Sequence, residues 1–193
     1  MACLDRARIG NARDCRARER GNFTVRSIAI VFALLCSTAA AGCATRPAAS
    51  MHTYVLVRHA EKATDDPRDP SLSAAGVARA QRIAQSLRRL PLQAVYATSY
   101  KRTRQTAEPS ARDHGLVVHT YDASAPADEV AAGLRALPPG VTLVVGHSNT
   151  IPAIASALCT CTVAPIADDE FRRRITVRVD AAGKASLDDR IEP

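Results

Sequence analysis

Three features of this sequence predict a three-layer α/β/α sandwich with a mainly parallel central sheet. Strand-like and helix-like segments alternate from His52 to Leu158, the order expected of an α/β domain. One strand segment, "VTLVV" at 141–145, is continuously apolar, as a strand covered on both faces must be. After Leu158 the alternation ends, and "RRRITVRVDAAGKASLDDR" at 172–190 carries two alternating segments about a glycine turn. That tail predicts a C-terminal hairpin at the sheet edge.

The elements follow in order. The first strand runs through Tyr54, Val55, Leu56 and Val57 and ends at Arg58, after which "TDDPRDPS" at 64–71 is a polar loop. Ser73 is placed to cap a helix in which Val77, Ala80, Ala84 and Leu87 recur at helical spacing, predicting a buried stripe. Arg79, Arg82, Arg88 and Arg89 fall mostly elsewhere and are expected on the solvated face. A short strand, "QAVYA" at 93–97, leads into "TSYKRTRQTAEPSARDHG", whose second half is expected to be helical and to stop at Gly115, since glycine commonly ends helices. "LVVHTY" at 116–121 is the next strand. "PADEVAAGLRAL" at 126–137 is a helix opened by Pro126 and closed by Pro138 and Pro139, proline being suited to a first turn and unable to continue a last one. The strand "VTLVVGH" runs into a helix over "SNTIPAIASAL", where Pro152 is tolerated near the start.

The globular part is expected to occupy residues 52–193. Residues 1–42 resemble an export signal: an arginine-rich leader, the apolar run "SIAIVFALLCSTAAAG" at 27–42, and small residues at its end. The run is short for a membrane span, which needs about 20 apolar residues. "AAGC" at 40–43 resembles the lipobox of bacterial lipoproteins, with Ala40 where leucine is usual. That resemblance implies a lipid on Cys43 and a periplasmic, membrane-anchored protein; ordinary secretion with an incidental cysteine is the alternative. Residues 43–51, small and polar with a proline, would then be a tether. The leader before Val25 is long and holds Cys3 and Cys15, so translation is expected to start at Val25.

Charge excludes one class of partner. The whole chain carries +7, but residues 1–42 hold seven arginines and three acids, leaving 19 basic against 16 acidic side chains, or +3. No basic face interleaved with aromatics remains to suggest nucleic acid. Past Cys43 the only cysteines are Cys159 and Cys161. Bridging across one residue is geometrically demanding, and a second Cys/His cluster that would complete a zinc site is missing. The pair is expected to be structural or incidental, its oxidation state open, and no cofactor or metal is expected.

Two histidines stand at strand ends: His59 after the first strand and His147 after "VTLVV". Ligands of open α/β sheets lie beyond the carboxyl ends of the strands. His147 also sits at a helix entrance, where free N–H groups favour an anion. Arg58 and Arg102 add guanidiniums suited to gripping phosphate through paired hydrogen bonds. Two imidazoles and two arginines at one edge describe a phosphate pocket. His52, His114 and His119 are expected to be ordinary surface or packing residues.

"LVRHAEK", "VYATSYKRTRQTA" and "LVVGHSNT" together resemble, in order and spacing, the three signatures of the histidine phosphatase superfamily, the phosphoglycerate-mutase-like enzymes. The resemblance runs from His52 to about Val179. It implies a metal-independent phosphomonoesterase in which His59 is the nucleophile that becomes phosphohistidine, while Arg58, Arg102 and His147 hold the phosphoryl oxygens. A nucleophilic imidazole must be neutral, and the cationic neighbours are expected to keep His59 so. Two departures stand out. Ala60 replaces the commoner glycine after the nucleophile, and Ser148 follows the second histidine where some relatives carry an acid. For a general acid, Asp122 and Glu61 are equal candidates, and none at all is a third reading. By size the chain resembles bacterial phosphohistidine phosphatases, which act in the cytoplasm, at odds with the export leader. The alternatives are a phospholigand-binding lipoprotein with little turnover, and a mutase-like phosphotransferase. The substrate and oligomeric state stay open.

Overall fold

The computed structural model describes residues 51–192. The predicted signal segment, Cys43 and nearly all of the predicted tether lie outside the described residues. No helix among the described residues is long and apolar enough to cross a membrane.

Among the described residues, six strands and four helices follow one another as β1 (His52–Arg58), α1 (Ala74–Leu87), β2 (Leu92–Thr98), α2 (Lys101–Asp113), β3 (Val118–Tyr121), α3 (Ala127–Arg135), β4 (Val141–Gly146), α4 (Thr150–Cys159), β5 (Arg173–Val179) and β6 (Ala185–Ile191). They form one sheet of order β3-β2-β4-β1-β5-β6. The pairs β1–β4, β2–β4 and β2–β3 are parallel, and the β5–β6 hairpin adds two antiparallel strands beside β1. The expected mainly parallel sheet with an edge hairpin is therefore present.

Strand alternation sorts side chains onto two cores. Tyr54, Leu56, Val144, Ile175 and Val177 pack with Ala131 and Leu134 of α3 and Ile151, Ile154 and Leu158 of α4. Val55, Val57, Val95, Leu143 and Val145 pack on the other face with Ile83 and Leu87 of α1 and Ala107 and Ala111 of α2. Burying both faces is what makes β1 and β4 continuously apolar. Each large core side chain cut back to alanine costs about 2–5 kcal/mol.

The sheet order has a chemical consequence. The path β1 to β2 to β3 moves one way with α1 and α2 on one face, and the return to β4 places α3 and α4 on the other, in keeping with crossovers of one hand. β1 and β4 are neighbours whose following connections leave toward opposite faces. This is a topological switch point, where the crevice beyond the strand ends is open to a ligand.

Several expectations need correction. The buried stripe of α1 is Gly76, Ala80, Ile83, Ala84 and Leu87, whereas Val77 is half exposed at 51%. Arg79 is not on a solvated face, since its guanidinium grips Glu61 at 2.5–3.0 Å. α2 starts at Lys101, well before the second half of its segment, and carries Pro109 within it. Its early start puts Arg102 in the first helical turn. The oxidation state of Cys159 and Cys161, open in the sequence, is that of a disulfide across Thr160, which caps α4 in the left-handed conformation at φ 53°.

Candidate active site

Arg58 on β1 is the register partner of Gly146 on β4. The next residue on each strand is a histidine, so parallel pairing alone brings His59 and His147 together. The His59 N–H donates to the Gly146 carbonyl at 2.8 Å, and the two rings meet edge to face with centroids 5.4 Å apart.

His59 is 4% exposed. Its Nδ1 lies 2.8 Å from the Ala60 carbonyl, which can only accept, so Nδ1 carries the proton and Nε2 keeps its lone pair. The pKa of His59 is lowered to about 4, first by burial and then by His147, Arg102 and Arg58, with the Ala60 hydrogen bond acting the other way. Burial therefore outweighs the cationic neighbours to which the sequence reading ascribed the effect. His147 is likewise lowered to about 4 by burial, Arg102 and Arg58. Both rings are neutral at neutral pH. His147 Nε2 is 3.0 Å from Thr98 Oγ1, itself 2.8 Å from Thr103 Oγ1.

The arginines are held differently. One guanidinium nitrogen of Arg58 donates to the carbonyls of Ala167, Asp168 and Glu170 at 2.8, 2.8 and 3.2 Å, and the group lies over the Phe171 ring, 4.2 Å from its centroid. The segment after α4 is thus wrapped around Arg58. Arg102 lies over the Tyr100 ring at 4.3 Å and 3.7 Å from Asp69, whose carboxylate also accepts the Lys101 N–H that opens α2. The Nε atoms of both arginines are buried without a hydrogen-bond partner among the described residues. A buried N–H without an acceptor is costly, and here two belong to cations at the same place.

Arg58, His59, Arg102 and His147 all line one cavity of about 550 Å³, open to solvent at the β1/β4 switch point. The structure brings these four sequence-predicted residues together. Asp122 lines the rim of the same cavity, and Glu61 does not. Glu61 is bound to Arg79, whose hydrogen bonds hold its carboxyl below the usual range. Its backbone also packs on α1: Ser73 N–H donates to the Glu61 carbonyl at 2.9 Å, and a side chain at Gly76 would collide with that same oxygen. Glu61 is thereby corrected from candidate acid to structural tie. The Asp122 carboxylate accepts from Ser124 N–H and Oγ at 2.8 and 2.7 Å, which lowers its pKa.

Sequence reasoning missed Lys62, Tyr100 and Asp168 on the cavity wall. Lys62 was legible within "LVRHAEK", but Asp168 arrives only because its loop wraps Arg58. His52, His114 and His119 lie outside the cavity. They stack on Tyr54, bond the Ser110 and Leu90 carbonyls, and stack on Tyr96, respectively. Among the described residues no group of three or more His, Cys, Asp or Glu side chains is placed to hold a metal ion.

Residues 54–125 match the histidine phosphatase superfamily (branch 1). No curated protein matches the chain. Among solved structures, the protein histidine phosphatase SixA complexed with tungstate is 20% identical with a TM-score of 0.61, over 72% of this chain and 96% of that one. A protein assigned as the phosphohistidine phosphatase SixA from Nakamurella multipartitia is 27% identical with a TM-score of 0.53, over 74% and 96%. The mycobacterial glucosyl-3-phosphoglycerate phosphatase is 16% identical with a TM-score of 0.54, over 72% and 97%. The chain is thus similar to the histidine phosphatase superfamily over its first motifs, and its domain shares the fold of these neighbours.

Proposed function

We propose that this protein is a phosphomonoester hydrolase that works through a covalent phosphohistidine on His59. The observation that carries the reading is the state of His59: neutral, its Nδ1 proton committed to the Ala60 carbonyl, its Nε2 lone pair free, in a cavity lined by Arg58 and Arg102. A fixed neutral imidazole is a nucleophile rather than a cation for binding.

In the first step Nε2 forms a bond to phosphorus while the bond to the ester oxygen breaks, and that oxygen leaves with the electron pair. In the second step a water oxygen attacks phosphorus, the N–P bond breaks, its electron pair returns to Nε2 and the water proton is released. The departed oxygen takes up a proton from solvent, so that the net reaction converts ester and water to alcohol and phosphate. Arg58, Arg102 and His147 stabilise the phosphoryl oxygens, where preorganised donors are typically worth about 3–4 kcal/mol each. Arg58 is rigid because its other face is consumed by the 167–170 carbonyls. His147 is fixed through Thr98 and Thr103.

The test is turnover of p-nitrophenyl phosphate by wild type and by His59→Ala, with trapping of an acid-labile phosphoenzyme. The expected result is turnover and trapping in the wild type alone. Equal rates in both proteins would overturn the reading. Tungstate binding without turnover would favour the second reading, a phospholigand-binding protein, which is motivated by the lowered pKa of Asp122, whose Oδ1 accepts from Ser124.

We further propose that the protein is exported and carries a lipid on Cys43, on the strength of the apolar run and the "AAGC" stretch. Lipid labelling lost in Cys43→Ser, with a soluble periplasmic product, is the expected outcome; unchanged labelling would overturn it.

A further inference from the structure

Beside the phosphoryl cavity lies a smaller one of about 180 Å³ between the β3–α3 connection and the start of α4. The two share Asp122, Ala123, Asn149 and Thr150 in their walls, so the smaller cavity adjoins the phosphoryl site. Their chemistry differs. The first is lined by cations and hydroxyls, whereas beyond the shared residues the second is lined by Tyr121, Ala125, Ala127, Val130, Ala153 and Ile154. Alanines on both sides keep the space open.

We infer that this annex receives the leaving group of the ester, and that the substrate class is the phosphate monoester of a phenol or similar single apolar ring. The inference rests on the phosphatase reading above and deepens it. Size argues for one ring, since an apolar cavity of about 150 Å³ is enough to bind benzene. Adjacency argues for the same molecule occupying both spaces. The carboxylates argue for a phenol over an aliphatic alcohol. Asp122 accepts both Ser124 hydrogen bonds on Oδ1, which holds its pKa below the ordinary carboxylate value, and Glu61 is bound to Arg79. A leaving oxygen that departs as a stable phenolate needs no proton from either, whereas an alkoxide does.

The test compares two activated substrates that differ in the ring, p-nitrophenyl phosphate and acetyl phosphate, in wild type and in Ala153→Phe and Ala153→Ser. Ala153 is exposed on α4 and outside the phosphoryl cavity, so a phenyl group there fills the annex without disturbing the core. In Ala153→Phe, kcat/KM for p-nitrophenyl phosphate is expected to fall by about tenfold or more, the scale of steric discrimination in an apolar pocket. Acetyl phosphate turnover in that variant stays near wild type, and Ala153→Ser, which adds only a hydroxyl to the annex wall, lowers p-nitrophenyl phosphate turnover less than Ala153→Phe does. Equal losses on the two substrates, or no loss on either, with a thermal unfolding midpoint close to wild type, overturn the annex assignment and leave the phosphatase reading standing. Absence of turnover of both substrates by the wild type overturns the phosphatase reading and this inference with it.

Discussion

His59 Nδ1 and the Ala60 carbonyl oxygen are 2.8 Å apart, and this single contact fixes which ring nitrogen is free to attack. Because the carbonyl belongs to the next residue, the tautomer is set by the local backbone and not by a distant partner. The adjoining Ala60 N–H donates to Thr106 Oγ1 at 3.0 Å, and Thr106 in turn donates to the Arg102 carbonyl at 2.7 Å. One chain of hydrogen bonds therefore connects the nucleophile's backbone to the helix that carries the second arginine. Thr106→Val is expected to lower kcat about tenfold with KM little changed, on the scale of small displacements of a reacting group, and with a stability loss of about 1–3 kcal/mol for the orphaned Ala60 N–H. Steady-state kinetics and denaturant unfolding on the same preparation check both.

The two imidazoles predict an unusual acid limb. Each has a pKa near 4 in the fold against an ordinary value of 6.5. Since kcat/KM reports the free enzyme, activity should persist below pH 6 and fall only near pH 4. Stability follows the same groups: between pH 6.5 and 4 the unfolded chain binds protons that the folded one does not. Stability is therefore full above pH 6.5 and declines as the pH falls toward 4. A pH–rate profile and urea unfolding at pH 7 and pH 5 measure the two effects; an acid limb at 6.5 would show that both rings are solvated.

The carboxylates make a contrasting pair. Glu61→Gln removes an ion pair with Arg79 whose partners are 25% and 14% exposed. The expected cost is a modest loss of stability, about 1 kcal/mol, with kcat/KM within a few-fold of wild type. Asp122→Asn removes a charge from the cavity rim. It should leave aryl phosphate turnover within a few-fold of wild type, because a phenolate departs without a proton. Equal, large losses for Glu61→Gln on every substrate would return Glu61 to the site.

Much of this was legible in the sequence, and the reasons are specific. The α/β order, the two buried strands and the meeting of His59 with His147 follow from apolar runs that end at equivalent places, because parallel register converts equal strand endings into proximity. Arg102 was legible as a cation but not as a first-turn residue, since "TSYKRT" has little apolar periodicity and Asp69, more than thirty residues earlier, supplies the N-terminal hydrogen bond. Arg79 and Val77 were misplaced because α1 buries its small residues against a backbone: Gly76 sits on the Glu61 carbonyl. The annex was illegible, because a space bounded by alanines is defined by side chains that are missing.

Gly146 shows how closely the second histidine is fitted. A Cβ there would lie 2.5 Å from Tyr121 Oη and 2.7 Å from Thr150 Oγ1, both of which are already committed. Tyr121 Oη donates to the Val145 carbonyl at 3.3 Å, and burial pushes its pKa up to about 12. Thr150 Oγ1 accepts the His147 N–H at 2.9 Å. A methyl group cannot enter without moving the phenol ring or the turn that carries His147. Gly146→Ala should therefore cost about 1–3 kcal/mol of stability, the usual scale of overpacking, and reduce kcat by about a hundredfold as His147 shifts, on the scale of a misplaced catalytic group. Tyr121→Phe in the same background removes the closer oxygen, and it should recover part of both losses because the two changes share a contact. Failure of that double variant to recover either quantity would place the strain at Thr150 instead, where Thr150→Ser, which keeps the same oxygen, would not relieve it and Thr150→Ala would.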